Sequence, residues 1–343
     1  MLDFYSTNSL SWEQLEYEPN EPYNLHYGLI HVGLSTLIDL TKDKLPSIKD
    51  GNVPKKYELC KEGDIAFADA SEDTNEVAKV VEFYNLGDKK VVCGLHTIHG
   101  RNNNGQTAKG FLGYCFSSTI FHNQIRRIAQ GTKIYSISTK NFSEIFVGLP
   151  SRSEQQKIAT LLRLIDERIA TQNKIIEKLQ SLIKGIVDEL MTVLLKGKLY
   201  PFSSFYIKAG EGGTPTTSVN EYYLGGTIPF IKIEDLSCKY LTSNKDFITE
   251  LGMQKSSAWL IPSHSVIYSN GATIGAISIN EYPICTKQGI LGIVPNTNIN
   301  VEYLYLLMSS SYFSKEVNRI VTEGTMKTAY LKDINHIKCP LPS

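Results

Sequence analysis

The sequence feature that most constrains the fold is a run of apolar residues, spaced alternately four and three apart, in the middle of the chain. The run contains no proline and a single glycine, Gly185. This spacing predicts one continuous α-helix with an apolar seam, and about 40 residues at 1.5 Å each make it roughly 60 Å long. The seam positions are Ile158, Leu162, Ile165, Ile169, Gln172, Ile176, Leu179, Ile183, Ile186, Leu190 and Val193.

Residues typical of helix termini mark both ends of this run. Ser153 is a candidate N-cap, Glu154 complements the helix dipole, and Pro201 follows the predicted end. The helix is therefore expected over residues 152–198, between domains at 1–151 and 199–343. Since a lone amphipathic helix cannot cover its own stripe, we expect the seam to meet a second helix, with Gln172 fixing the register. The alternative is a helix that lies across one flanking domain.

The segments on the two sides of the helix resemble each other, which indicates an internal repeat. The stretch KEGDIAFA at 61–68 parallels PSHSVIYS at 262–269. Each copy is expected to contain short β-strands, a helix before a Gly-Thr turn, and a last strand leading to Leu-Pro-Ser. The predicted fold class is α+β, with two similar globular domains separated by one long coiled-coil helix. The matching positions are Phe111, Ser117, Phe121, Arg127, Gly131 and Leu149 in the first copy and Tyr303, Ser309, Phe313, Arg319, Gly324 and Leu341 in the second.

Composition excludes several classes of protein. With 42% hydrophobic and 20% charged residues, the chain can bury cores and is not of the disordered type. No stretch reaches the ~18 apolar residues of a membrane span, and the N-terminus lacks the pattern of a signal peptide, so we expect a cytoplasmic protein without a membrane partner. The six cysteines are far apart in sequence with no C-x-x-C pair, which predicts buried thiols and neither a zinc site nor a disulfide framework.

The net charge is zero, but the charge is unevenly distributed. Residues 1–88 hold 17 acidic and 7 basic side chains, whereas residues 89–150 hold 8 basic and one acidic side chain. A basic segment of this kind suits a polyanionic partner. The alternative is that the acidic and basic halves of the first domain pair with each other.

Four stretches carry a resemblance to a known family. They are L-P-S-x-x-E-Q-Q-K-I-A at 149–159, G-G-T-P-T-T at 212–217 with I-P-F-I at 228–231, S-N-G-A-T-I-G at 269–275, and the Gly-Thr turn before each L-P-S. In combination they are similar to the specificity subunit of type I restriction-modification systems. The likeness runs over nearly the whole chain.

The resemblance implies two target-recognition domains, each reading one half of a bipartite DNA sequence, and conserved helices that set the spacing and dock methyltransferase subunits. The family's second helix would follow residue 343. We therefore expect a shortened form, an interrupted reading frame, or a chain that borrows its second helix from a second copy or another protein. The expected partners are double-stranded DNA, two methyltransferase subunits and the restriction subunits.

No catalytic constellation is recognisable in the sequence. It lacks the N-P-P-[YF] motif of DNA methyltransferases, a phosphate-binding Gly-rich loop with Lys-Ser/Thr, H-E-x-x-H and G-x-S-x-G. His96 and His99 have a spacing that can suit metal ligands, but they form no recognised ligand motif with a cysteine or an acidic third ligand, so no metal site is predicted. We expect a targeting subunit that is not itself an enzyme and that uses no cofactor.

In the first domain the loop at 99–109 has the side chains that read bases. Arginine presents a fork to guanine, and Asn or Gln pairs with adenine. An ordinary turn-rich surface loop is the alternative. The predicted base-reading residues are Arg101, Asn102, Asn103, Gln106 and Lys109, and the predicted phosphate contacts are Arg126, Arg127 and Lys133.

In the second domain the candidate DNA contacts are small polar turns whose backbone amides and hydroxyls could approach phosphates. Simple strand connections are the alternative reading. The candidates are Thr214, Lys232, Asn270, Thr273 and Lys327. The sequence thus predicts a DNA-recognition subunit that directs methyltransferase and endonuclease subunits to a split site. The rival hypotheses are a coiled-coil adaptor that binds proteins and a silent, unassembled copy of a specificity subunit.

Overall fold

The computed structural model describes residues 1–271, 273–321 and 328–341. The chain divides into two compact units, Met1–Lys174 and Ile175–Ser343, and the division falls within a long helix. Among the described residues, no helix combines the length and apolar character that a bilayer span needs.

The first unit is built from short strands and three short helices. The strands are β1 (Asp3–Tyr5), β2 (Leu15–Glu16), β3 (Tyr23–Leu25), β4 (Leu37–Asp39), β5 (Ser47–Ile48), β6 (Ile65–Ala68), β7 (Ala70–Ser71), β8 (Val80–Asn85), β9 (Val91–Cys93), β10 (Thr97–Arg101) and β11 (Tyr135–Ser136). The helices are α1 (Tyr27–His31), α2 (Phe111–Phe116) and α3 (Thr119–Ile128).

The second unit has the same kind of content. Its strands are β12 (Leu199–Pro201), β13 (Tyr206–Glu211), β14 (Ile228–Ile231), β15 (Tyr240–Leu241), β16 (Asp246–Ile248), β17 (Val266–Ser269), β18 (Ile277–Asn280), β19 (Cys285–Thr286), β20 (Ile290–Pro295) and β21 (Lys338–Pro340). Its helices are α5 (Glu250–Gln254), α6 (Val301–Ser309), α7 (Ser311–Ile320) and α8 (Leu331–Ile334). The long helix α4 (Arg152–Leu194) precedes β12.

The main sheet has one topology in both units. Its strand order is β1-β10-β6-β8-β4 in the first and β13-β20-β17-β18-β15 in the second. In each sheet the first three pairings are antiparallel and the last is parallel. A smaller sheet repeats as well, since β3 pairs with β5 antiparallel and β9 parallel, and β14 pairs with β16 and β19 likewise. The predicted α+β fold with two similar domains is confirmed.

The helices that pack on the main sheets also correspond. Ser118 and Ser310 each cap the second helix of a pair by accepting the amide hydrogen bond of Phe121 or Phe313. These two phenylalanines are completely buried, one against Phe67 of β6 and the other against Tyr268 of β17. The repeat inferred around Arg127 and Arg319 therefore reflects one helix pair built twice.

The expected last strand before Leu-Pro-Ser occurs in one copy only. In the second unit β21 pairs with β12, whereas residues 145–150 of the first unit form no strand. That part of the prediction is wrong for the first copy, because no strand equivalent to β12 lies beside this segment. The second Gly-Thr turn, Gly324-Thr325, and the final Pro342-Ser343 lie outside the described residues.

Helix α4 is continuous over 43 residues, or about 65 Å at 1.5 Å per residue. Its start agrees with the predicted one, and it ends four residues earlier than predicted. The cap, however, is Ser151 and not Ser153. The Ser151 amide donates to the Glu154 carboxylate at 2.9 Å, and the Glu154 amide donates to Ser151 Oγ at 3.4 Å. This reciprocal arrangement is a capping box, so the motif S-x-x-E specifies the first turn.

Only a few side chains anchor each end of α4 to the domain beside it. In the first unit Gln155 is buried, accepts the amide hydrogen bond of Ala108 at 2.8 Å, and donates to the carbonyls of Gln106 and Pro150. In the second unit Met191 enters the core, and the Asp188 carboxylate accepts hydrogen bonds from the amide and hydroxyl of Ser311. The middle of the helix is therefore left exposed.

Candidate functional site

Arg101, the first predicted base-reading residue, is a buried structural residue. It ends β10, and 7% of it is exposed. Its guanidinium donates from Nε and Nη2 to the two carboxylate oxygens of Asp64, both at 2.8 Å, and from Nη1 to Glu58 at 2.7 Å. The Tyr5 ring covers its other side at 4.4 Å. The guanidinium is fully occupied within the domain, so we withdraw its assignment as a base reader.

Asp64 connects Arg101 to His99. The Asp64 Oδ2 atom lies 2.7 Å from Nε2 of His99, and both side chains are buried. Burial raises the pKa of Asp64, but hydrogen bonds from His99 and Arg101 outweigh it and hold that pKa below the usual 3.8. A carboxylate whose folded pKa is lowered stabilises the fold fully above about pH 4, and this contribution is lost as the pH falls through the folded-state pKa.

The rest of the predicted loop follows β10 at the surface beside the start of α4. Asn102 is half-buried and donates to Thr107, and Asn103 is exposed and donates to Asp3 at 2.6 Å. The Gln106 side chain is exposed, while its carbonyl receives the hydrogen bond from Gln155. Lys109 pairs with Glu62 at 2.6 Å. Part of the basic segment is therefore neutralised by the acidic half of the same domain.

The three predicted phosphate-contacting residues of the first domain are on the surface. Arg126 and Arg127 lie in the last turn of α3, and Lys133 follows it. Arg126 donates to Asn75 and Asn123. Among the described residues, no ion pair is found for Arg127 or Lys133.

In the second unit two predicted turns meet at one cleft. Thr214, in the turn after β13, accepts the amide hydrogen bond of Gln288 at 3.3 Å. Gly271, in the turn after β17, donates its amide hydrogen bond to the Gly289 carbonyl at 3.2 Å. Both turns therefore converge on the Lys287–Gly289 turn that precedes β20, and together they line a cleft of about 490 Å³.

The remaining candidates of the second unit differ in accessibility. Lys232 pairs with Asp246 at 2.8 Å, and this hydrogen bond raises the lysine pKa, so it remains a cation. It lines a smaller cavity of about 350 Å³ next to Thr214 and Lys287. Asn270 is 1% exposed and donates to the Ala329 carbonyl, so its side chain supports the turn from within. Thr273 is exposed, and Lys327 lies outside the described residues.

The first unit has a cleft of about 450 Å³ at the equivalent place. It lies between the segment after β1, the turn after β6 and the turn before β10. The Asp69 amide donates to the His96 carbonyl at 3.1 Å, which matches the hydrogen bond from Asn270 to Gly289 in the second unit. The cleft is lined by Ser6, Thr7, Asn8, Ser9, Leu10, Pro54, Lys56, Tyr57, Glu58, Asp69, Val92, Cys93, Leu95 and His96.

Sequence reasoning missed the turns that form the core of both clefts. Gly94–His96 and Lys287–Gly289 are three-residue turns between a strand of the small sheet and a strand of the main sheet. A signal was available, because each turn closely follows a cysteine, Cys93 or Cys285. The predicted base-reading loop at 99–109 instead follows the end of β10 at Arg101, whereas the cleft lies at the start of β10.

The predicted seam of α4 is exposed in this chain. Gln172 and eight of the other positions are exposed, Leu162 is half-buried, and Ile158 is 39% exposed. Four further apolar residues widen the stripe: Leu161, Leu164, Ile175 and Leu182. An apolar stripe of this length requires a cover, because exposed patches of this size mark interaction surfaces.

Comparison with known proteins identifies the family. The model for the type I restriction modification DNA specificity domain matches residues 80–181 and 206–343, which is more than half of the chain. The chain belongs to the type I restriction-modification specificity family. The second matched stretch includes all five main-sheet strands and the helix pair of its unit, whereas the first includes β8, β10 and the helix pair α2 and α3.

Individual relatives agree with this assignment. The MjaX specificity subunit of Methanocaldococcus jannaschii is 26% identical over 323 residues, which are 89% of this chain and 73% of that protein. The MjaIX specificity subunit of the same organism is 30% identical over 135 residues, 38% of this chain, and the alignment spans about a third of that relative. A type I S subunit from M. genitalium has the same fold, with a TM-score of 0.56 at 17% identity, covering 99% of this chain and 82% of that one.

Replacing Arg101 tests its structural assignment. Arg101→Ala leaves the buried Asp64 carboxylate without its bidentate partner, and breaking a buried ion pair costs about 3–5 kcal/mol. We expect urea unfolding, followed by circular dichroism, to show a loss of this size in the first unit. Arg127→Ala, which removes an exposed arginine, should change the unfolding free energy by less than about 0.5 kcal/mol. Equal stability of the two variants would contradict the assignment.

Proposed function

We propose that this chain is the DNA-recognition subunit of a type I restriction-modification complex and that each of its two domains reads one half of a split site. The observation that carries the proposal is the repeated domain with an equivalent cleft in each copy. Two copies of one binding domain in one chain suit two half-sites in one DNA molecule.

The composition of the clefts suits contact with a duplex. The second cleft combines exposed Lys287 and Gln288 with the hydroxyl of Thr214. The first combines Lys56 with exposed His96 and the hydroxyls of the segment after β1. Lysine suits phosphate, while glutamine and histidine can hydrogen-bond to base edges.

The accessible residues that the sequence predicted extend this surface. They lie at the surface of each domain, where contacts to phosphates would position the domain on the duplex and contacts to base edges would read sequence. In the first domain they are Asn103, Gln106, Lys109, Arg126, Arg127 and Lys133, with Asn102 half-buried beside them. In the second they are Lys232 and Thr273. The proposal keeps Lys327 as a phosphate contact on sequence grounds alone.

Helix α4 is proposed to set the number of unread base pairs between the half-sites. Its exposed stripe requires a partner helix, and we propose that a second copy of this chain supplies it. The methyltransferase subunits would dock on the resulting helix pair and the restriction subunits would join them in the cytoplasm. The chain itself would bring no catalytic group, because its sequence holds neither the N-P-P-[YF] methyltransferase motif nor the other catalytic motifs named in the sequence analysis.

The cleft assignment predicts a specific effect of Lys287→Ala. In a complex reconstituted with the methyltransferase subunits, loss of one phosphate contact should weaken DNA binding and reduce the slope of log K against log salt by about 1. Fluorescence anisotropy with labelled duplex at several salt concentrations measures both. Lys255→Ala is the matched control, because Lys255 is an exposed lysine of the same domain outside the clefts.

Two outcomes would count against this proposal. If Lys287→Ala and Lys255→Ala lower the slope equally, the cleft is not the DNA surface. If the wild-type complex shows no salt-dependent binding of duplex, the chain is a protein-binding adaptor and not a DNA-recognition subunit.

The helix proposal predicts that charge in the stripe prevents self-association. Ile176→Glu with Ile183→Glu places two carboxylates in the seam, and we expect light scattering to report a monomer where the wild-type chain is a dimer. Thr171→Glu with Ser181→Glu adds the same charge at two exposed positions about 120–160° around the helix, since each residue turns it by 100°, and should remain dimeric. A wild-type chain that is monomeric at all concentrations would contradict the choice of a second copy as partner.

A further inference from the structure

The first domain contains a buried cluster of soft metal ligands that the proposed function does not use. Cys60 lies before the turn that leads to β6, Cys93 ends β9, and His99 is in the middle of β10. Their three potential ligand atoms all lie within 4.8 Å of one another. All three residues are at least 95% buried, although their positions in the sequence gave no indication of a cluster.

The two ring nitrogens of His99 have different surroundings. Its Nε2 lies 2.7 Å from a carboxylate oxygen of Asp64, and both oxygens of that carboxylate also accept hydrogen bonds from Arg101. In the tautomer that donates the Nε2 proton to this carboxylate, Nδ1 carries the lone pair. Nδ1 is buried and has no hydrogen-bond partner among the described residues. Leaving a buried polar atom without a partner destabilises the fold, and a bond to a metal ion would supply that partner.

The sulfur atoms are spaced as zinc thiolates are. Cys60 Sγ and Cys93 Sγ are 3.6 Å apart. Two sulfurs at about 2.3 Å from one tetrahedral zinc ion lie about 3.8 Å apart, whereas a disulfide bond is about 2.05 Å long. A carboxylate behind a coordinating histidine is the usual support of a zinc ligand, because it fixes the ring and raises its basicity.

The second domain has an apolar pair at the equivalent positions. Cys60 corresponds to Ile261, as each precedes the matched stretch that begins at 61 or 262. His99 corresponds to Gly292, because His99 pairs with Ala66 and Gly292 with the matching Ile267. A Cβ on Gly292 would lie 2.4 Å from Ile261 Cδ1. In the second domain, apolar packing of Ile261 against Gly292 fills this place. The fold of the domain therefore does not require the polar cluster of the first.

The cluster lies next to the cleft of the first domain. Cys93 lines the cleft of the first domain, which opens to solvent beside exposed His96. A cation and a water molecule could enter from this side, and three protein ligands with water complete a four-coordinate zinc ion.

We propose that Cys60, Cys93 and His99 bind one Zn²⁺ ion in the first domain, with the thiols releasing their protons on binding. Two thiolates and an imidazole favour zinc over magnesium or calcium, which prefer oxygen ligands. The ion would tie the segment at 58–60 and the end of β9 to β10, and so stabilise one wall of the cleft.

The test uses the purified full-length chain, kept reduced, stripped with a chelator and titrated with ZnCl₂. We expect about one zinc per chain after dialysis, measured by mass spectrometry of the metal, and tetrahedral cobalt-thiolate absorption when Co²⁺ replaces zinc. The Cys60→Ile, His99→Gly double variant copies the packing of the second domain, and it should retain less than about a tenth of the zinc while remaining folded. Cys115→Ser, which removes a cysteine outside the cluster, should bind zinc as the wild type does.

Three results would overturn the proposal. The first is no stoichiometric zinc in the folded wild-type chain. The second is equal zinc content in the double variant, which would place the ion elsewhere. The third is a Cys60–Cys93 disulfide, found by peptide mapping of the freshly isolated protein, that accounts for both thiols.

Discussion

The antiparallel pairing of β10 with β6, repeated by β20 with β17, is the constraint on which the rest of the structure depends. Because this pairing ends with the same backbone hydrogen bond, from Asp69 to His96 in one unit and from Asn270 to Gly289 in the other, the turns beside it are held in equivalent places. Those turns form the clefts. The side chains that fill each cleft can then differ without changing the domain that presents them, which is what two different half-sites require.

The sequence was most informative where a periodic pattern had one structural solution. The spacing from Ile158 to Val193 specified the long helix, and the matched serines 118 and 310 marked the same helix cap in both domains. The strand order was not predictable, because strands of two to six residues carry too little periodicity to specify their partners. Only backbone pairing between segments that are distant in sequence defines the two five-stranded main sheets.

The candidate site was predicted less well, and Arg101 explains why. An arginine among asparagines has the same sequence signature whether it faces DNA or an internal carboxylate. Its partners Glu58 and Asp64 are about 40 residues away in sequence, so the pairing that buries it could not be seen. The cluster of Cys60, Cys93 and His99 was hidden for a similar reason, since Cys60 is 33 residues before Cys93 in sequence and only the fold brings it beside the end of β9 and the middle of β10.

The most direct measurement of the central claim is the methylation motif made by complexes that carry one altered cleft at a time. Sequencing of methylated genomic DNA would compare His96→Ala, in the first cleft, with Gln288→Ala, in the second. The account predicts that each variant relaxes one half of the split motif, that the two halves differ, and that the gap between them stays constant. If both variants altered the same half, or neither altered the motif, the two domains would not be the independent readers described here.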